Sequence, residues 1–304
     1  MDGIRKLSRL GNEVHLSASI AVLDLTGRRH DLGVVALLVL SRCAADWVCE
    51  GEIRPPARPT RTISLRAVAN SLREPHATVQ RHAGKLLATG LLVDTGHGYA
   101  IGTAPPHAAA IVRLLGQAHD TLIRLIADLS PDLAFARPPS PPDPNLFAAT
   151  VAAALDIWLI PFEATRDPVT DWISKLVLLV IAIANVRHIT VDATLSARYA
   201  DLPTPDALRR PIDVRAIGTL TGLSYGTVYR HCQKLAAADV IRYERGGWLV
   251  AASQITDLPI DSGVRALLGY YAKRINELVA IGLDTTQVEA RYLAGRPDYV
   301  ALPF

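Results

Sequence analysis

Two stretches, Thr78–Leu86 (TVQRHAGKL) and Thr227–Leu235 (TVYRHCQKL), carry the side chains best suited to chemistry. Each places an arginine, Arg81 or Arg230, two residues after a valine, Val79 or Val228. On a helix of about 3.6 residues per turn, that spacing sets the guanidinium roughly opposite the valine. A buried valine therefore means a protruding arginine, which can donate two parallel hydrogen bonds to one base edge. Lys85 and Lys234 follow, and Thr78 and Thr227 precede. Cations and hydroxyls around such a face suit phosphate oxygens. Arg61 in the first copy, and Arg242 and Arg245 in the second, extend the same rim. His76 and Gln80 share the first face; Ser224, Tyr225 and Tyr229 share the second. The tyrosines suit contact with thymine methyls or packing on a neighbouring hairpin.

The chemistry on offer is binding rather than catalysis. His82 and His231 stand one residue from the buried stripe and read as structural groups at the rim of the core. The Gly-x-Gly of Thr95–Gly98 (TGHG) follows a strand but opens no helix, so it reads as a hairpin turn rather than a nucleotide loop. The sequence holds no nucleophile–base–acid set and no metal-ligand spacing, so neither enzyme activity, a metal nor a cofactor is expected.

The two stretches belong to a longer duplication. Residues 63–101 and 212–250 align without a gap, and Ile63/Ile212, Arg66/Arg215, Arg81/Arg230, His82/His231, Lys85/Lys234 and Gly98/Gly247 are among the identical pairs. Apolar positions are kept as apolar, as at Leu65/Val214, Val68/Ile217 and Tyr99/Trp248. The repeat unit is far longer than a solenoid period, so each copy is domain-sized. Within the second copy, Val214, Ile217 and Leu220 mark one face of a short helix. Gly222 allows a tight turn, and Ser224 can cap the next helix. Val228, Cys232, Leu235 and Ala236 form its buried stripe. Alternation around a Gly-containing turn predicts a hairpin next. Strands are expected in these two hairpins alone. An apolar helix precedes each copy (DLGVVALLVLSRCAADWV and DWISKLVLLVIAIANV) and an amphipathic helix follows it. The segments SASIAVLDL and LFAATVAAALDIWLI lead the two halves.

A chain of 304 residues suits two domains of about 150 residues each. Its net charge of +3 is mild, but both repeats are locally basic. Residues 209–250 hold Arg209, Arg210, Arg215, Arg230, Lys234, Arg242 and Arg245 against Asp213, Asp239 and Glu244. Cys43, Cys49 and Cys232 have no ligand spacing and leave an odd thiol, which fits a reducing cytoplasm. The N-terminus lacks a signal-peptide core. The longest apolar runs, Leu176–Val186 and Leu32–Leu40, fall short of the roughly 20 residues of a membrane span and predict buried helices. The proline-rich RPPSPPDPN, Arg137–Asn145, reads as a linker.

The run Ala216–Val250 (AIGTLTGLSYGTVYRHCQKLAAADVIRYERGGWLV) resembles the winged helix-turn-helix of bacterial transcriptional regulators. Its LS..TV.R....L pattern and Gly-containing wing are similar to the MarR and GntR groups, and the flanking long helices are similar to MarR dimerisation helices. The resemblance implies that the helix beginning near Ser224 enters the major groove of double-stranded DNA, with the wing near the backbone. The first copy departs from the pattern: Glu74 replaces the apolar Leu223, Pro75 replaces the capping Ser224, and the wing lacks arginine. Proline is accepted in a helix's first turn, so two unequal readers are expected.

The expected fold is mainly α with small β-wings. Two tandem winged helix-turn-helix domains, flanked by long helices, would be related by a pseudo-two-fold axis. The domains are 1–137 (core 61–101) and 146–304 (core 209–250), joined by 138–145. The expected function is a sequence-specific, double-stranded-DNA-binding transcription regulator that reads two unequal half-sites with one chain. A plasmid-type replication initiator and a protein-interaction module are the alternatives. A cytoplasmic protein with no membrane partner is expected; self-association and the effector stay open.

Overall fold

A computed structural model of the chain describes residues 3–131, 135, 138–163, 171–251 and 260–303, with the helical backbone alone over 260–265. Arg137, where the first domain was expected to end, lies outside the described residues. The fold is mainly helical, with small antiparallel sheets of two strands each.

The first half opens with α1 (Ile4–Leu25) and α2 (His30–Cys43). A short hairpin follows, β1 (Val48–Cys49) and β2 (Glu52–Ile53). Next come α3 (Leu65–Leu72), α4 (His76–Ala88), the hairpin β3 (Leu92–Asp94) and β4 (Tyr99–Ile101), and α5 (His107–Leu129). The second half repeats this order with α6 (Leu146–Glu163), α7 (Trp172–Val191) and a short α8 (Ala193–Arg198). Then come α9 (Val214–Thr221), α10 (Tyr225–Ala237), β5 (Arg242–Glu244), β6 (Gly247–Leu249) and α11 (Ile260–Ala280).

The two repeats agree residue by residue. Val93 pairs with Ala100 as Arg242 pairs with Leu249, and Asp94 pairs with Tyr99 as Tyr243 pairs with Trp248. An isolated bridge ties Ile63 to Tyr99 and, equivalently, Ile212 to Trp248. The backbone turns left-handed at matching places: Arg73 (φ 54°) and Gly222 (φ 72°) end the first helices, and Gly90 (φ 76°) and Asp239 (φ 56°) follow the second. Glycine takes this conformation without a steric cost. Each copy thus keeps glycine at one of two positions and strains a larger residue at the other.

Two expectations need correction. Strands are not confined to the two repeats, because β1 and β2 form a further hairpin through Glu50 and Gly51, both at positive φ. Such a two-residue turn matches the natural twist of paired strands, and the Glu-Gly pair was its overlooked signal. Asp192 accepts from the Leu195 amide and nucleates α8. The leading segment SASIAVLDL is only the end of α1, which starts at Ile4. The periodic signal of α1 is weakened by buried polar groups, among them Arg9, Glu13 and His15.

Packing crosses between the halves. α6 packs on α2 and α5, while α1 in turn lies on α7. The larger hydrophobic cluster joins the first repeat to α5, α6 and α11. The smaller joins α7, α9, α10 and the second hairpin to Leu16 and Leu23 of α1. Polar groups tie the same crossings. The Glu13 carboxylate accepts from Arg187 Nε and Nη2 at 2.5 and 2.7 Å, linking α1 to α7. Arg274 of α11 donates to Asp156 of α6. The C-terminal segment closes the seam: Arg124 donates to the Pro297 and Asp298 carbonyls, Arg187 donates to Val300, and the Tyr299 ring lies against both guanidiniums. α6 and α7 are long and apolar enough to cross a membrane by length and composition, with 56% and 50% of those windows buried inside the protein.

Candidate nucleic-acid interface

The second repeat builds its exposed face on a well-anchored helix. Val228, Cys232 and Leu235 are fully buried and fix the rotation of α10. Ser224 Oγ accepts from the Thr227 amide at 3.2 Å and lies 2.9 Å from the Thr227 hydroxyl, so both side chains belong to the cap. The opposite side presents Arg230 and the tyrosines Tyr225 and Tyr229, 58% and 45% exposed. These two rings stack with centroids 6.1 Å apart and planes 8° from parallel. Arg230 is exposed and forms no ion pair among the described residues.

Lys234 and the two hairpin arginines of this face are held within the chain. Lys234 Nζ donates to Asp171 at 2.9 Å. Arg242 pairs with Asp206 and with Glu244, each at 2.8 Å. Arg245 donates to the carbonyls of Asp206 and Arg209 and lies 3.4 Å from Glu244. All three are exposed, so such pairs are each worth at most about 1 kcal/mol and can exchange for a phosphate.

The first repeat presents a simpler face. Val79, Ala83 and Leu86 are buried, while His76, Gln80, Arg81 and Lys85 are exposed and Thr78 is half-buried. Arg81 and Lys85 form no ion pair among the described residues. Pro75 precedes the helix without a side-chain cap, as its missing hydroxyl requires. Glu74 is half-buried, and burial pushes its carboxyl above the usual range against the pull of Lys175. Arg61 leans back on Asp46 at 3.8 Å.

The paired histidines sit in matching structural positions. His82 Nε2 lies 3.4 Å from Asp31, and His231 Nδ1 lies 3.6 Å from Asp171 and 2.8 Å from the Ser174 hydroxyl. Burial lowers both imidazoles below their usual value, against the pull of the aspartates. Asp31 and Asp171 stand at the starts of α2 and α7, so α4 and α10 are each fastened to the long helix of their own half. Sequence reasoning missed these aspartates, although both stand at the head of the matched apolar runs. Asp206, which holds the hairpin arginines, carries no periodic or repeat signal.

Other chemistry is sparse. No cluster of metal-ligating side chains occurs among the described residues. Cys43 and Cys232 are buried, which pushes their thiols up to about 11 and about 12. A groove of about 560 Å³ opens between α9, α10 and the second hairpin. No family model, curated protein or solved structure matches this chain.

Proposed function

We propose that the chain is a sequence-specific, double-stranded-DNA-binding transcription regulator. It would use two winged helix-turn-helix units, related by a pseudo-two-fold axis, to read two unequal half-sites. One observation carries this reading. At equivalent positions of the two repeats, Arg81 and Arg230 protrude from a helix that follows a tight turn and precedes a hairpin, and neither is ion-paired among the described residues. Burial of Val79 and Val228 fixes that outward direction. Guanidiniums so placed can donate to base edges, while Lys85, Thr78 and the hairpin cations serve phosphates. The second copy of the motif then takes the place of the second subunit of a dimer.

Selection of bound sequences from random duplex DNA, followed by footprinting, tests the reading. A site with two dissimilar halves, occupied by one chain, is the expected result. Arg230→Ala should weaken the selected site by about 1–3 kcal/mol more than random DNA. Lys85→Ala should weaken both alike and flatten the salt dependence by about one ion. Unchanged sequence preference in Arg230→Ala would refute base readout by that residue.

A further inference from the structure

The second repeat carries an aromatic surface that its fold does not require. The groove between α9, α10 and the hairpin is lined by Tyr225 and Tyr229 on one wall and by Tyr243 and Trp248 on the other. Tyr243 is 64% exposed, and its ring stands edge-on to the buried Trp248 with centroids 5.3 Å apart. Three large rings thus face solvent around one cleft. At the equivalent positions the first repeat has His76, Gln80 and Asp94, yet it keeps the same strand register. The rings are therefore an addition to the scaffold.

Their arrangement narrows what they could hold. Near-parallel tyrosines offer flat apolar faces to a planar group. The exposed Arg215 lines the same groove and Arg230 stands on the same helix, and neither is ion-paired among the described residues. An anion bearing planar rings suits this combination. Gln233 at the lining can bond a base edge in either direction. Asp213, the acidic lining residue, accepts the Ala216 amide as the cap of α9. A base inside a duplex has both faces covered by its neighbours and cannot stack on a protein ring. A base that has left its stack can.

We propose that this groove binds the unstacked bases of a nucleic-acid single strand, so that the second repeat favours DNA with a locally unpaired strand. The proposal rests on the DNA-binding reading above. It adds that one of the two readers distinguishes paired from opened DNA.

The test uses the full chain and three fluorescein-labelled probes: a selected duplex, the same duplex with an internal unpaired thymidine loop, and an oligodeoxythymidine of about 12 nucleotides. A parallel loop probe carries 2-aminopurine, whose fluorescence falls when it stacks on a ring. Stacking on one aromatic ring is worth roughly a tenfold change in affinity. The looped duplex should bind about tenfold tighter than the paired one, with quenching of 2-aminopurine. Tyr229→Ala and Tyr243→Ala should each remove that preference and the quenching. Tyr229→Phe and Tyr243→Phe should keep both, because stacking does not need the hydroxyl. Equal binding of looped and paired duplex, or a preference that survives both alanine variants, overturns the proposal. A loop preference in a chain that selects no duplex sequence would instead leave the groove standing and remove the regulator reading. An oligoribouridine of the same length separates RNA from DNA as the source of the strand. Its binding more tightly than the deoxy probes overturns the preference for DNA.

Discussion

Two buried histidines set how this protein should respond to acid. His15 lies on α1 with Nε2 2.8 Å from the Tyr271 hydroxyl. His30 opens α2, its ring 5.7 Å from that of Phe162, and both its nitrogens are buried without a partner among the described residues. Burial pulls each imidazole down from 6.5 to about 4, overriding a backbone hydrogen bond at His15 and the Asp31 charge at His30. In the unfolded chain the same groups take up a proton near pH 6.5. Between pH 6.5 and about 4 the unfolded state therefore binds more protons, and stability falls as pH falls. At about 1.36 kcal/mol per pH unit, each histidine removes about 3 kcal/mol across that window. Together they rival the whole net stability of an ordinary domain, about 5–15 kcal/mol. Glu13 works in the opposite sense, because burial lifts its carboxyl to about 7 despite Arg187, so its penalty shrinks on acidification. A difference between variants isolates the histidine. Urea unfolding followed by far-UV circular dichroism, at pH 7 and pH 4.5, should show His30→Leu losing about 2–3 kcal/mol less on acidification than the parent chain. Parallel losses in the two proteins would refute the burial argument.

The strained turns make a second expectation. Arg73→Gly should raise stability by about 0.5–1 kcal/mol, and Gly222→Ala should lower it by about 1–2 kcal/mol, read as opposite shifts of the urea midpoint. A fall on Arg73→Gly would mean that the side chain contributes more than the turn costs. Asp171→Asn keeps a capping side chain on α7 but frees Lys234. Random-sequence duplex should then bind more tightly, with a salt slope steeper by about one ion; an unchanged slope in a fluorescence-anisotropy titration would show that Lys234 stays away from phosphate. Arg81→Ala should cost less affinity for a selected site than Arg230→Ala, because only the second repeat adds hairpin arginines to its rim. Equal losses in gel-shift titrations would show that the two faces contribute alike.

The repeats were legible because their determinants are local. Valine and leucine at helical spacing fixed which side of α4 and α10 is buried, and the serine at 224 marked the start of α10. The second hairpin's Arg242 and Arg245 were equally visible as cations, but not their partner Asp206, which comes from a segment without pattern. The crossing of α1 and α6 was hidden for a different reason. α6 is apolar on nearly every side and α1 buries polar groups among its apolar ones, and such faces do not record which helix buries them. The aromatic groove joins residues from a helix start and a hairpin. It becomes visible only once the β5–β6 register places Tyr243 beside Trp248.

In a homodimer every substitution is made twice, once in each subunit, so a change that improves one contact must be tolerated at its mirror image. The interlocked halves of this chain remove that constraint. α1 rests on α7 and α6 rests on α2, so the two halves stay together whatever side chains α4 and α10 expose. A mutation can then alter one exposed helix face and leave the other as it was. His76 and Gln80 against Tyr225 and Tyr229 are differences of that kind. The shared interior keeps both surfaces in one molecule while each follows its own course of change.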